Sequence, residues 1–311
     1  MVDLHIHSHL SPQGLSTPLQ LVKQCQARKL GLMSVTDQNC ARANRAAERA
    51  AWENGIAYIS GIELDSTYEG MHVSVLGYGI DYDSPDFARL ERHIDKLSFK
   101  ASLEILEKTQ VLGFHLTECD MWEASKEHFE TDSWNGELFA RVLLSNPKFR
   151  EHPLLKPYRT GGSRSDHPLE NLYQDYYAAG KVCHADTPYP DIHEILDLIH
   201  QNHGVAVLAH PGLHLYKGKA FLLRLLTLEI DGLEAYSSCH TPAEAAYFAA
   251  LAKEQERLIT CGSDYQGNAG ASASPGDAVF APDMDPEQET QRIAERLLSY
   301  IFCNTSHRKR A

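Results

Sequence analysis

Val2-Asp3-Leu4-His5-Ile6-His7-Ser8 is the stretch on which the reading of this chain turns. Polar and apolar residues alternate through it, the period-2 pattern of a short strand. Side chains two apart on a strand share a face, so His5 and His7 can bind one ion together. Just downstream, Thr17 is a plausible N-cap ahead of Pro18, and Leu19, Val22 and Leu30 give helical spacing over Pro18 to Leu30, which Gly31 ends. A strand followed at once by a helix opens an alternating α/β chain.

The alternation continues in both halves. Leu32 to Thr36 reads as a buried strand, Ala41 to Glu53 as an alanine-rich helix, Ile56 to Leu64 as a third strand and Met71 to Tyr78 as a fourth. After residue 190 come a helix at Ile192 to Asn202, a strand at Val205 to Ala209, a helix at Phe221 to Leu228 and a strand at Gly232 to Tyr236. A helix at Pro242 to Glu256, a strand at Leu258 to Cys261 and a closing helix at Glu287 to Leu298 complete the series. This rhythm predicts parallel strands joined by helical crossovers. It breaks between Ser84 and Pro190, where a long helix over Pro85 to Leu112 precedes a stretch with no clear strand. The expected organisation is therefore a barrel formed by 1–84 and 190–311, with 85–189 inserted as a helical subdomain, a lid over one barrel end.

Bulk properties narrow the function. A chain of 311 residues with 43% hydrophobic content is ordinary for a globular protein. It has no apolar run near the roughly 18 residues of a membrane span, and its first residues do not resemble a signal peptide. The expected location is cytoplasmic. The seven cysteines are odd in number and form no C-x-x-C pair, which speaks against a disulfide framework or a cysteine zinc site. A net charge of −13 disfavours nucleic acid as a partner, and the short basic end, His307 to Arg310, reads as a solvated tail.

The 17 histidines stand out, because several sit beside acids at strand ends, where imidazole and carboxylate together suit manganese, iron or zinc. The third strand finishes with Gly61-Ile62-Glu63, a later one with Leu208-Ala209-His210-Pro211-Gly212, and the last with Cys261-Gly262-Ser263-Asp264-Tyr265. Carboxyl ends of parallel barrel strands share one face, where active sites collect. His5, His7, Glu63, His210 and Asp264 are thus expected to converge there.

Taken in order, Val2 to Ser8, Thr36-Asp37, Gly61-Ile62-Glu63, Gly77-Tyr78-Gly79-Ile80-Asp81, Leu208 to Gly212 and Gly262-Ser263-Asp264 resemble the motifs of the polymerase and histidinol phosphatase (PHP) family. The resemblance spans about residues 1 to 81 and 190 to 275. It implies a distorted (β/α)7 barrel, an amidohydrolase-like architecture with a cluster of divalent metals, and hydrolysis of phosphate esters. It implies a first metal site of His5, His7, Glu63 and Asp264. A second would use the shared Glu63, His210 and a fourth-strand histidine. That position is Ser74 here, with His72 two residues earlier on the same face as the expected substitute and His9 as a further candidate.

Three positions depart from the family pattern. An acidic residue is replaced by Pro12, the histidine of T-D-H by Gln38 and that of G-S-D-x-H by Gln266. Together these positions normally build a third metal site, so that site is expected to be lost. One or two ions per chain follow, with Gln38 and Gln266 lying close together.

Arg141, in Phe139-Ala140-Arg141, and Lys181, in Gly180-Lys181, resemble phosphate-contacting segments. The resulting expectation is a hydrolase in which Glu63 bridges two ions, a metal-activated water attacks phosphorus, Asp264 holds the first metal, and Arg141 or Lys181 neutralises the phosphate. The substrate would be a small phosphomonoester or nucleotide-type phosphate ester. Two other readings use the same residues: a weak or inactive PHP-fold protein that binds metal and ligand, and a hydrolase of a non-phosphate bond. His240 either faces the site or simply precedes a helix cap.

Overall fold

The computed structural model describes residues 1–12, 14–128, 133–213, 218–267 and 273–308. The chain divides into two compact units, Met1–Glu91 with Tyr189–Ala311, and Arg92–Pro188.

The first unit is α/β. Strands β1 (Val2–Ile6), β2 (Leu32–Val35) and β3 (Ala57–Tyr58) form a parallel three-stranded sheet. Strands β4 (Gly61–Tyr68), β5 (Met71–Tyr78), β6 (Val205–Leu208), β7 (Gly232–Ser237) and β8 (Leu258–Gly262) form a five-stranded sheet in that order. Single parallel bridges, Gln38 to Glu63 and Ile6 to Tyr265, link the two sheets. Ladder pairing thus leaves two sheets and no closed ring among the described residues.

Helices α1 (Pro18–Ala27) and α2 (Asn44–Glu53) follow β1 and β2. A capping box, Thr17 with Gln20, starts α1 and stops its first amides going unpaired. Apolar residues from β4 to β8 and from helices α7 (Ile192–Gln201), α8 (Lys219–Leu225) and α9 (Pro242–Glu254) share one buried cluster. Ile6, Met33 and Val35 join the buried faces of α1 and α2 in another.

Two strand expectations are corrected. First, β5 runs antiparallel to both β4 and β6, whereas the other neighbouring pairs in the unit are parallel. The reason is local. Only Glu69 and Gly70 separate β4 from β5, both at positive φ (49° and 73°), the backbone of a tight hairpin turn. A parallel connection needs a dozen residues or more. Second, the strand expected over Ile56 to Leu64 is broken. Gly61 begins a new strand, pinned by Asn44, whose Oδ1 accepts the Gly61 N–H at 2.9 Å and whose Nδ2 donates to the Gly61 carbonyl at 2.8 Å. Glu63 therefore lies near the start of β4, level with Gln38, and not at a strand's carboxyl end.

The second unit is helical among its described residues. The helix α3 (Pro85–Val111) contains the boundary between units, and α4 (Glu118–His128), α5 (Gly136–Ser145) and α6 (Pro168–Tyr176) follow with two short 3-10 turns. Its core joins Trp134, Phe139, Leu155 and Tyr177. The closing helix α10 (Pro286–Arg308) belongs to the first unit. Of the basic tail, Lys309 and Arg310 lie outside the described residues.

Candidate active site

Five side chains converge at one edge of the first unit. His5 is the penultimate residue of β1, and His7 follows that strand, its N–H donating to the Tyr265 carbonyl at 2.8 Å. His210 and Asp264 each lie two residues past a strand, with φ of 26° and 51°. Positive φ is costly for a residue with a Cβ, and it clusters where function demands it. His5 Nε2 lies 3.1 Å from His7 Nε2, 3.6 Å from Glu63 Oε2 and 3.7 Å from Asp264 Oδ1. His7 Nε2 lies 3.1 Å from Asp264 Oδ1 and 3.5 Å from Glu63 Oε2. His210 Nε2 lies 3.1 Å from Glu63 Oε1.

Hydrogen bonds behind the rings fix which nitrogens face the pocket. The Ser11 hydroxyl donates to Asp37 Oδ1 at 2.9 Å and accepts the Gln38 N–H at 2.9 Å. Its remaining lone pair accepts from His7 Nδ1, 2.9 Å away, so in the neutral ring the lone pair is on His7 Nε2. His5 Nδ1 donates to Glu234 Oε1 at 3.0 Å, which likewise turns Nε2 inward. Asp37, itself buried, also accepts from the Ser8 N–H and hydroxyl, both at 2.6 Å, and so anchors the segment after β1.

The pocket calls for positive charge. Burial alone lowers the His5 pKa, but Glu234, Glu63 and Asp264 outweigh it and raise it well above the usual value. Burial pushes Glu63 up, yet His5, His210 and His7 hold it well below the carboxylate range. Asp264 also resists burial and is held at about 2, chiefly by His5. Two neutral rings would face lone pair to lone pair at 3.1 Å and repel, so the pair needs a cation. A shared proton is one solution and a metal ion the other, since two nitrogens on one ion stand about 3 Å apart. Two groups have donor atoms all within 4.8 Å of one another and can each hold an ion, His5 with His7 and Asp264, and His5 with Glu63 and His210.

His72 is not in either group among the described residues. It sits on β5 with Nε2 2.7 Å from Asp65 Oδ1, and its ring lies 5.1 Å from that of Tyr189. Asp65 is fully buried and pairs in register with Ser74, whose hydroxyl is 3.4 Å away. Gln38 Nε2 donates to both Asp65 oxygens, at 3.2 and 2.9 Å, and Asn39 Nδ2 donates at 2.7 Å. The expected closeness of Gln38 to Gln266 is thus not reflected in their bonds, because the nearby carboxylate is the stronger acceptor. Gln266 accepts the Leu15 N–H through its backbone carbonyl.

His240 resolves as a structural clamp. Its Nδ1 donates to the Ala235 carbonyl at 3.0 Å and its Nε2 accepts the Gly212 N–H at 3.1 Å, which holds the turn carrying His210. His9 leaves Nδ1 buried and unpartnered among the described residues. In the second unit, Arg141 on α5 donates to Glu137 at 2.8 Å, and Lys181 is exposed in the turn after α6. The sequence reading missed Glu234, Asp65 and Asp37's anchoring bonds. For Glu234 the signal was an acid inside the apolar strand Gly232 to Tyr236, which a buried carboxylate occupies only when well bonded.

Comparison with known proteins follows the same residues. A family model described as "PHP domain" matches residues 3–301. The 5'-3' exoribonuclease Rnm of Salmonella typhimurium is 26% identical over 272 residues, covering 85% of this chain and 84% of that protein. The phosphoribosyl 1,2-cyclic phosphate 1,2-diphosphodiesterase of Eggerthella lenta is 28% identical over 272 residues, covering 86% and 95%. A structure described as an amidohydrolase from Chromobacterium violaceum with bound sulfate and no metal superposes with a TM-score of 0.72 at 21% identity, over 94% of this chain and 96% of that one. That likeness concerns the fold.

Proposed function

This chain belongs to the PHP domain family, and from that premise we infer that it is a metal-dependent phosphoesterase acting on a small phosphomonoester or nucleotide-type phosphate ester. The observation that carries the reading is the pair of inward ring nitrogens, His5 Nε2 and His7 Nε2, 3.1 Å apart beside Glu63 and Asp264. This donor set fits manganese, iron or zinc. His5, His7, Glu63 and Asp264 would hold one ion, and Glu63 with His210 a second, assisted by His72 if its bond to Asp65 is given up. We read the first unit as a distorted (β/α)7 barrel whose linking bridges, Gln38 to Glu63 and Ile6 to Tyr265, stand where ladders would close it.

When bound, such ions supply Lewis acidity toward phosphoryl oxygens and lower the pKa of water. The chain's own residues supply the rest. Glu63 keeps its charge in a buried place, Asp264 faces His7 from the more open side, and Asp37 with Ser11 holds His7 in the useful tautomer. For Arg141 and Lys181, expected from the sequence to neutralise the phosphate, the check is kinetic: that role requires their alanine variants to raise KM more than they lower kcat.

The relatives named above act, by name, on ribonucleic acid and on a cyclic phosphate. Net acidity argues for a small substrate, yet the likeness to an exoribonuclease requires that RNA be tested. The experiment is a panel with the manganese-loaded chain: a 5'-nucleotide, a nucleoside bisphosphate, a cyclic phosphate diester and a 5'-phosphorylated short oligoribonucleotide. Release of phosphate or nucleotide from a small member supports the reading. Cleavage of the oligoribonucleotide alone transfers it to RNA, and no release from any member by a metal-loaded chain overturns it.

A further inference from the structure

Glu234 lies in the middle of β7 with no exposed surface, and it belongs to neither group of donor atoms. Its two oxygens have different tasks. Oε1 accepts from His5 Nδ1 at 3.0 Å, and Oε2 accepts the backbone N–H of His210 at 2.9 Å. His5 stands in both donor groups, and His210 stands in the second. One carboxylate therefore spans the supports of both.

We propose that Glu234 is a positioning residue that ties the two metal groups together by fixing the His5 tautomer and the His210 backbone at once. The proposal rests on the metal-binding reading above. Its first half follows from hydrogen-bond chemistry, since a carboxylate accepts only, so His5 must carry its proton on Nδ1 and present Nε2 to the pocket. Its second half follows from the backbone, because His210 sits at φ 26° and needs a partner for an N–H that no ladder satisfies. Gly262 leaves room for this arrangement. A Cβ at Gly262 would lie 2.7 Å from Glu234 Oε1 and 2.2 Å from His5 Cβ, so glycine there lets the acid and the imidazole meet.

An amide cannot replace the acid. With its oxygen toward His5, Glu234→Gln would aim an N–H at the His210 N–H; turned the other way, it would aim one at His5 Nδ1. Either His5 changes tautomer or His210 loses its acceptor.

The test has two arms on the full chain. The first is imidazole 15N NMR of metal-free and zinc-loaded wild-type protein. In the zinc-loaded form His5 should show Nδ1 protonated and Nε2 unprotonated and zinc-bound; the reverse tautomer overturns the proposal without any variant. The second is calorimetric titration of manganese into stripped wild type and Glu234→Gln, with circular dichroism as the folding check. The variant should lose roughly 10–100-fold in affinity at every site the wild type fills. Unchanged affinity in a folded variant overturns the proposal alone, whereas failure of the wild type to take up metal overturns the metal reading and the proposal with it.

Discussion

The Nε2 atoms of His5 and His7 face each other at 3.1 Å with Glu63 Oε2 3.6 and 3.5 Å from them. Each ring is held from behind, His5 by Glu234 and His7 by Ser11, so both keep Nε2 toward the pocket. Glu63 also meets His210 through its other oxygen at 3.1 Å. Glu63→Gln should therefore weaken both proposed metal sites, since Glu63 belongs to the second donor group and its Oε2 also faces the His5 and His7 nitrogens of the first. Elemental analysis of the folded variant should show markedly less metal than wild type; equal content would contradict the shared role.

Gln38→Ala should separate stability from metal. The amide gives two hydrogen bonds to the buried Asp65 carboxylate. Their loss should cost about 1.5–3 kcal/mol, the range for bonds to charged groups. Metal content should stay unchanged, because the Gln38 amide is bonded to Asp65, which belongs to neither donor group. Chemical denaturation paired with elemental analysis checks both, and loss of metal would show that Gln38 serves an ion after all.

The His240 clamp gives a pH prediction. Burial is the main cause of a lowered pKa there, against smaller raising effects from the Ala235 carbonyl and Glu234. The unfolded imidazole takes a proton near its ordinary value of about 6.5, while the folded one resists it. Its contribution to stability is complete above that value and declines as pH falls below it. Denaturant midpoints measured from about pH 7 to about pH 5 should fall more steeply for wild type than for His240→Gln. Parallel slopes would remove His240 from the account.

Gly262→Ala tests the close approach beneath the pocket. Its new Cβ would meet His5 Cβ at 2.2 Å and the His5 amide nitrogen at 2.9 Å, neither of which is a flexible chain end. Overpacking of this kind costs about 1–3 kcal/mol, and here it displaces a proposed ligand. Thermal unfolding should shift down and manganese affinity should drop. A variant that binds manganese like wild type would mean that His5 need not sit where it does.

Much of this was legible in the sequence because the decisive residues carry local marks. His5 and His7 alternate on a strand, His210 precedes Pro-Gly, and Asp264 follows Gly-Ser. The hairpin was missed, because the third strand was expected to end at Leu64 and its extension to Tyr68, which leaves only Glu69-Gly70 before β5, shows only in the fold. Glu234 and Asp65 were hidden for a different reason. Each is an acid in a strand, and only the fold reveals which donors surround it: His5 and His210 for one, Gln38, Asn39 and His72 for the other. Gln38 illustrates the limit of motif reading, which assigned it an absent ion's place but not its partner.

The central claim is that hydrolysis depends on a cation held between His5, His7, Glu63 and Asp264. The most direct measurement is phosphate release from the best ester of the panel, before and after a chelator strips the chain, and again after manganese is returned. The account predicts activity that vanishes on stripping, returns with manganese, and does not return in the His7→Ala variant. Undiminished hydrolysis by a chain shown by elemental analysis to hold no metal would contradict it.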